Sequence, residues 1–179
     1  NTAMRPPGIV FIFAPVVVFL VFFIVRVRSN IGVPLAMVFP AWIILGAQSF
    51  RVIVELFLHQ LWTDGLIPKM LTYSGANLDI YIGASAPFIA WLSTRGERGI
   101  KLALAWNVLG LGVLANVVIR AVLTAPGPLN LIHTEVPNLM IGTFPFVFIP
   151  GFFVPLAVVL HALSLRTLFR TASGSRAAK

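Results

Sequence analysis

Gln48, Arg51, Glu55, His59 and Trp62 recur at spacings of three and four within an otherwise apolar stretch. At about 100° per residue they occupy roughly one quarter of a helix circumference and form one face. A guanidinium, a carboxylate and an imidazole on one stripe can make a ligand clamp or a proton relay. Arginine fixes negative charge, while the carboxylate and imidazole exchange protons. The same residues also suit an architectural role: Arg51 and Glu55 pair one turn apart, and Arg120 or Asp79 completes a buried ion network that sets helix register. Both readings stay open, because ionisable groups inside a hydrophobic span are costly and normally face partners in the bundle interior.

Further candidates lie downstream. Asn116 and Arg120 are four apart and share a helix face, whereas Asn107 sits about half a turn away from Asn116, so that helix offers polar groups to two neighbours. Gln48, Arg51, Glu55, His59, Asp79, Asn116 and Arg120 together form the expected ligand-binding set. Glu55, His59, His133 and Glu135 supply ligand types suited to zinc or another divalent cation, although only Glu55 and His59 have a fixed spacing. His161 is expected near the cytoplasmic end of the last helix, as a helix-end histidine near free carbonyls, which disfavours a bis-histidine haem that uses it. Tyr73, Ser74, Asn77 and Asp79 either line an external vestibule or serve as turn and capping residues. No Walker loop, dinucleotide fingerprint, HExxH, GxSxG or Ser/Lys dyad is present, and the reading specifies no cofactor. With no cysteine, disulfides, thiolate metal sites and thiol redox chemistry are excluded.

The elements that must position these groups follow from composition. Hydrophobic residues make up 59% and charged residues 10% of the 179, against about 25% charged in a soluble domain. Mean hydropathy is +0.98. The expectation is an all-α polytopic membrane bundle in one domain, residues 1–165, with spans near 8–25, 31–62, 78–93, 102–123 and 139–165. A basic, frayed cytoplasmic tail, residues 166–179, follows. The first run ends at Arg26 and Arg28 without a small-residue cleavage pattern, so it reads as a retained helix. The second exceeds the roughly 20 residues a bilayer needs, which leaves the depth of Arg51 open. Asn77 is placed as the N-cap of the third helix, Gly83 to Ala86 give it a small-residue surface, and residues 94–101 form a basic turn. Pro145, Pro150 and Pro155 predict a kinked or partly unwound last segment.

The net charge of +8 comes from basic residues at segment ends, a pattern of membrane topology and not of nucleic-acid binding. With five alternating spans, Arg26, Arg28, Arg95, Arg98, Lys101, Arg166, Arg170, Arg176 and Lys179 share one side. The positive-inside rule makes that side cytoplasmic and puts the N-terminus outside. Glu55, His59, Asp64, Asp79, Arg120, His133 and Glu135 then gather toward the outer face. The expected partners are the lipid bilayer and, through small-residue and phenylalanine faces, other membrane subunits or a second copy.

Phe50-Arg51 with Glu55, the run from Gly75 to Ile80, Trp106-Asn107 followed by Leu109-Gly110, and Pro145-Phe146 with Pro150 give the chain a further property. Through them it resembles a family of bacterial multispanning membrane proteins with no assigned activity. That resemblance implies a bacterial inner-membrane location and transfers no catalytic residue. The functional expectation is an outward-facing polar pocket for a small molecule, ion or lipid-like ligand, alone or as an accessory subunit. The alternative is an intramembrane enzyme using Glu55, His59 and Asp79 on a lipid-soluble substrate.

Overall fold

A computed structural model describes residues 39–177 and the single position Val18. The expected first span apart from Val18, the stretch 31–38 of the second, and the charges Arg5, Arg26, Arg28 and Lys179 lie outside the described residues. Among the described residues the chain is all-α, with four helices and no strand: α1 (Ala41–Thr63), α2 (Asp79–Ser93), α3 (Glu97–Thr124) and α4 (Val154–Ala177). Three helical stretches are long and apolar enough to cross a membrane: Ala41–Thr63, Glu97–Thr124 and Ile149–Ser173. The 15 residues of α2 fall short of the roughly 20 that a bilayer core requires.

Each helix starts and stops for a local reason. Pro40 lacks the N–H that a preceding turn would need and stands at the N-cap of α1. Within α1 the segments Ala41–Ala47 and Phe50–Thr63 meet at a tightened turn, where the amides of Gln48, Ser49, Arg51 and Val52 bond three residues back. The Ser49 hydroxyl donates to the Gly46 carbonyl at 2.7 Å in that joint. Gly96, at φ 84°, makes the left-handed turn from α2 into α3. Helix α3 therefore begins at Glu97, earlier than the basic turn over 94–101 predicts. Glu97 favours the positive end of the helix dipole there and pairs with Lys101 one turn on at 2.9 Å. The N-cap of α2 is Leu78, but the capping work is done by Asn77, whose Oδ1 accepts from the Asp79 N–H at 3.0 Å.

The last segment departs most from expectation. Met140–Gly142 is a single 3₁₀ turn, Ile149–Phe153 a π-helical turn, and regular α-helix starts only at Val154. Pro145 and Pro150 keep the chain irregular, as their spacing predicts, and Pro155 falls in the first turn of α4, where its missing donor costs little. Helix α4 runs on to Ala177, so the expected fraying after Arg166 does not occur over that range. The shift puts His161 twelve residues from either end of the apolar stretch Ile149–Ser173.

The helices run up, down, up and down. At one end Leu45, Ala86, Ala90, Ile100, Ala103 and Leu168 pack together; at the other Leu58, Leu61, Ile67, Leu71 and Ile149 do. Close approach of α1 and α2 depends on Gly83, where a Cβ would come within 2.8 Å of the Val52 backbone nitrogen. Facing outward are large apolar side chains on every helix, among them Ile53, Tyr81, Phe88, Val108, Ile119 and Phe169. Only a third of each long apolar stretch is buried within the bundle. That exterior suits contact with lipid.

Candidate functional site

Between the two apolar cores lies a polar layer built from all four helices. Arg51 stands at the middle of α1, ten residues after Ala41 and twelve before Thr63, and is 2% exposed. Its Nη2 donates to Asp79 Oδ1 at the start of α2 in a buried ion pair. Its Nη1 meets His161 Nε2 on α4 at 3.0 Å. A guanidinium only donates, so His161 Nε2 must accept and the ring's proton sits on Nδ1. That nitrogen donates to Asn107 Oδ1 on α3 at 2.9 Å. The same oxygen accepts from the Ser164 hydroxyl, and Asn107 Nδ2 donates to Ala103 O at 2.8 Å. Every bond in this chain has a defined direction, from the cation outward to the backbone.

Glu55, 1% exposed, lies one turn beyond Arg51. Asn77 Nδ2 donates to Glu55 Oε1 and to Leu71 O, and the Tyr73 backbone amide stands near the carboxylate. Asn77 thus links the Glu55 carboxylate to the start of the helix that carries Asp79. Gln48 is fully enclosed and donates through Nε2 to Ala157 O at 3.2 Å, tying α1 to α4.

Arg51, Glu55, Asn77 and Asp79 form the polar wall of a cavity. The other walls are apolar: Phe50, Val54 and Leu58 from α1, Leu114, Val118 and Ala121 from α3, and Ile149, Pro150 and Phe153 ahead of α4. The cavity measures about 50 Å³, and one water needs about 10–15 Å³ of such space. The space therefore admits a few waters or a slim chain and excludes a bulky ring system. Three buried polar atoms of the α1 stripe lack a hydrogen-bond partner among the described residues: Gln48 Oε1, Arg51 Nε and Glu55 Oε2. The last two belong to cavity-lining side chains, one a donor and the other a carboxylate oxygen.

The structure brings together Gln48, Arg51, Glu55 and Asp79 from the expected set and separates the rest. His59 stands apart from the cavity wall, stacked on Tyr73 at 4.5 Å and tilted against Trp62 at 5.1 Å, with Ser74 Oγ 3.2 Å from Nδ1. Arg120 does not complete the ion network; its Nε donates to Asn116 Oδ1 at 2.8 Å, and Asn116 Nδ2 donates to Ala76 O at 3.0 Å. Asn107 and Asn116 do serve two neighbours, α4 and the loop before α2. The metal set is not assembled: Glu55 is buried on Asn77, His133 and Glu135 are exposed in the 125–138 loop, and no three His, Asp or Glu side chains cluster for a metal ion among the described residues. His161, placed at a helix end by hydropathy, is instead fully buried at the centre of the network, with Asn107 and Ser164 as partners that the expected set omits. The His161/Ser164 spacing of three, facing Asn107 on the preceding helix, is the signal that could have found them.

Residues 6–169 match the family described as a domain of unknown function (DUF8737). No curated protein and no solved structure matches the chain. The match spans most of the sequence, and the chain belongs to that family.

Proposed function

We propose that this DUF8737 protein is an integral membrane protein of the bacterial inner membrane that binds a small molecule or lipid-like ligand in the cavity beside Arg51, Glu55 and Asp79. The carrying observation is the pair of unpartnered atoms there, Arg51 Nε and Glu55 Oε2, both on side chains at most 2% exposed. A buried polar atom without a partner costs about 1–3 kcal/mol. Both side chains line the cavity, so a ligand there is offered a donor and an acceptor that the protein itself leaves unsatisfied.

In this reading five spans cross the membrane, with the N-terminus outside and the C-terminus inside. The basic residues Arg95, Arg98, Lys101, Arg166 and Arg170 lie toward the inner end. The cavity then opens toward the outer half, with the loops around Tyr73 and His133 above it. Binding is favoured over catalysis because His59, the expected proton-exchanging partner of Glu55, is engaged elsewhere by Tyr73 and Ser74. The protein works alone or as an accessory subunit.

Native mass spectrometry of protein released gently from its own membranes tests this. The expected spectrum carries a reproducible added mass that survives delipidation. It is depleted about tenfold in Glu55→Leu, which removes the acceptor, and in Val118→Phe, which fills the cavity. Equal occupancy in all three proteins would overturn the pocket.

A further inference from the structure

The two open atoms define what the cavity can hold. Arg51 already gives Nη2 to Asp79 and Nη1 to His161, which leaves Nε–H as the nitrogen that still needs an acceptor. Glu55 Oε1 accepts from Asn77 Nδ2, the Tyr73 backbone amide stands near the carboxylate, and Oε2 has no hydrogen-bond partner among the described residues. The two side chains lie one helical turn apart on α1 and both line the cavity, whose lining apart from Asn77 and Asp79 is otherwise apolar.

Charge narrows the choice. One permanent cation, Arg51, faces two carboxylates, Glu55 and Asp79. A carboxylate or phosphate ligand would bring a third acid into a low-dielectric space with a single guanidinium, which is unfavourable. A bare cation could sit on Glu55 Oε2 but leaves the Arg51 Nε–H unmet. A ketone or quinone oxygen answers Arg51 but can serve Oε2 only when Glu55 carries a proton. A single hydroxyl answers both, accepting from Nε–H and donating to Oε2. Size agrees, since the space admits a slim chain among Val54, Leu58, Leu114, Val118, Ala121 and Ile149.

We infer that the cavity takes the hydroxyl end of an uncharged, slender apolar molecule, such as a linear or isoprenoid alcohol, seated between Arg51 and Glu55. This rests on the pocket reading above and names the ligand's chemical class.

The test uses the purified full-length chain in detergent and four probes of equal chain length: a primary alkanol, the methyl ketone, the fatty carboxylate and the alkane. Binding is followed by native mass spectrometry and by ligand-induced shifts in thermal unfolding. The alkanol should bind, the other three should bind about tenfold more weakly, and both Glu55→Leu and Val118→Phe should lose the alkanol. If the ketone or carboxylate binds as well as the alkanol and Val118→Phe abolishes it, the pocket stands and the hydroxyl assignment falls. If the alkane matches the alkanol, the polar wall plays no part in recognition, and again only the assignment falls. If no probe binds and Val118→Phe changes nothing, both fall. A protein that contains only water at this wall belongs to that last outcome.

Discussion

At the scale of single residues, the decisive fact is that Arg51 is buried at mid-helix and its charge is answered by Asp79. Breaking a buried pair by removing one partner leaves an uncompensated charge and costs about 3–5 kcal/mol, even where the pair itself contributes little net stability. Asp79→Asn keeps the oxygen that accepts from Nη2 and removes only the charge. It should therefore lower unfolding stability in detergent by that amount, while Arg51→Gln in the same background recovers a large part of the loss. The double-mutant cycle is the measurement. A change below about 0.5 kcal/mol in Asp79→Asn would mean that Arg51 is solvated, and the network would lose its claim to a dry interior. Glu55 differs in kind, since its partner Asn77 is neutral, its second oxygen is open, and it faces a cavity and not a packed core. The same stripe of α1 thus carries one residue whose charge is answered within the bundle and one whose carboxylate forms no ion pair among the described residues.

At the scale of elements, glycines decide how closely the carriers of these groups approach. Gly110 on α3 sits against the imidazole, and a Cβ there would lie 2.8 Å from His161 Nε2. Gly110→Ala must displace the ring from Arg51 and should cost about 1–3 kcal/mol by overpacking. In a His161→Ala background the same change should be nearly neutral, because the atoms it strikes are gone. Gly112→Ala, two residues on in the same helix with nothing within 4 Å of its Cβ, should stabilise by up to about 1 kcal/mol through helix propensity. Unfolding curves of the four proteins check all three, and equal costs at 110 and 112 would break the assignment. These positions also show what was legible in sequence. The apolar periodicity, the α1 stripe and the small-residue face of α2 could be read directly, because each is a local pattern. The start of α4 could not, because hydropathy runs unbroken through Leu139–Leu165 while Pro145 and Pro150 delay the helix to Val154. That delay carries His161 from a helix end to the centre of the site. Arg120 illustrates the converse. Its spacing from Asn116 was correct, yet a shared face does not say which neighbour lies opposite, and the partner proved to be Asn116 itself.

At the scale of the whole molecule, the placement of charge and of apolar surface makes one testable statement about topology. The turn between α2 and α3 and the C-terminal half of α4 lie at the same end of the bundle, joined by the packing of Leu45, Ala90, Ile100 and Leu168. That end holds Arg95, Arg98, Lys101, Arg166 and Arg170. The opposite end carries the Tyr73–Ser74 loop, Asp64 and the exposed His133 and Glu135. The positive-inside rule predicts that the first end faces the cytoplasm, as the proposed orientation requires. The chain contains no cysteine, so single-cysteine variants give a clean background for labelling with a membrane-impermeant maleimide. Ser74→Cys and Leu129→Cys should label in intact cells, while Thr94→Cys should label only after permeabilisation. The three positions are exposed, and none of the three changes removes a basic residue, so the charge bias that sets orientation is preserved. Labelling of Thr94→Cys from outside with Ser74→Cys protected would invert the bundle and turn the cavity toward the cytoplasm. Labelling of both from outside would mean that the short helix α2 does not cross the bilayer, and the polar layer would then close a re-entrant element in place of a full span.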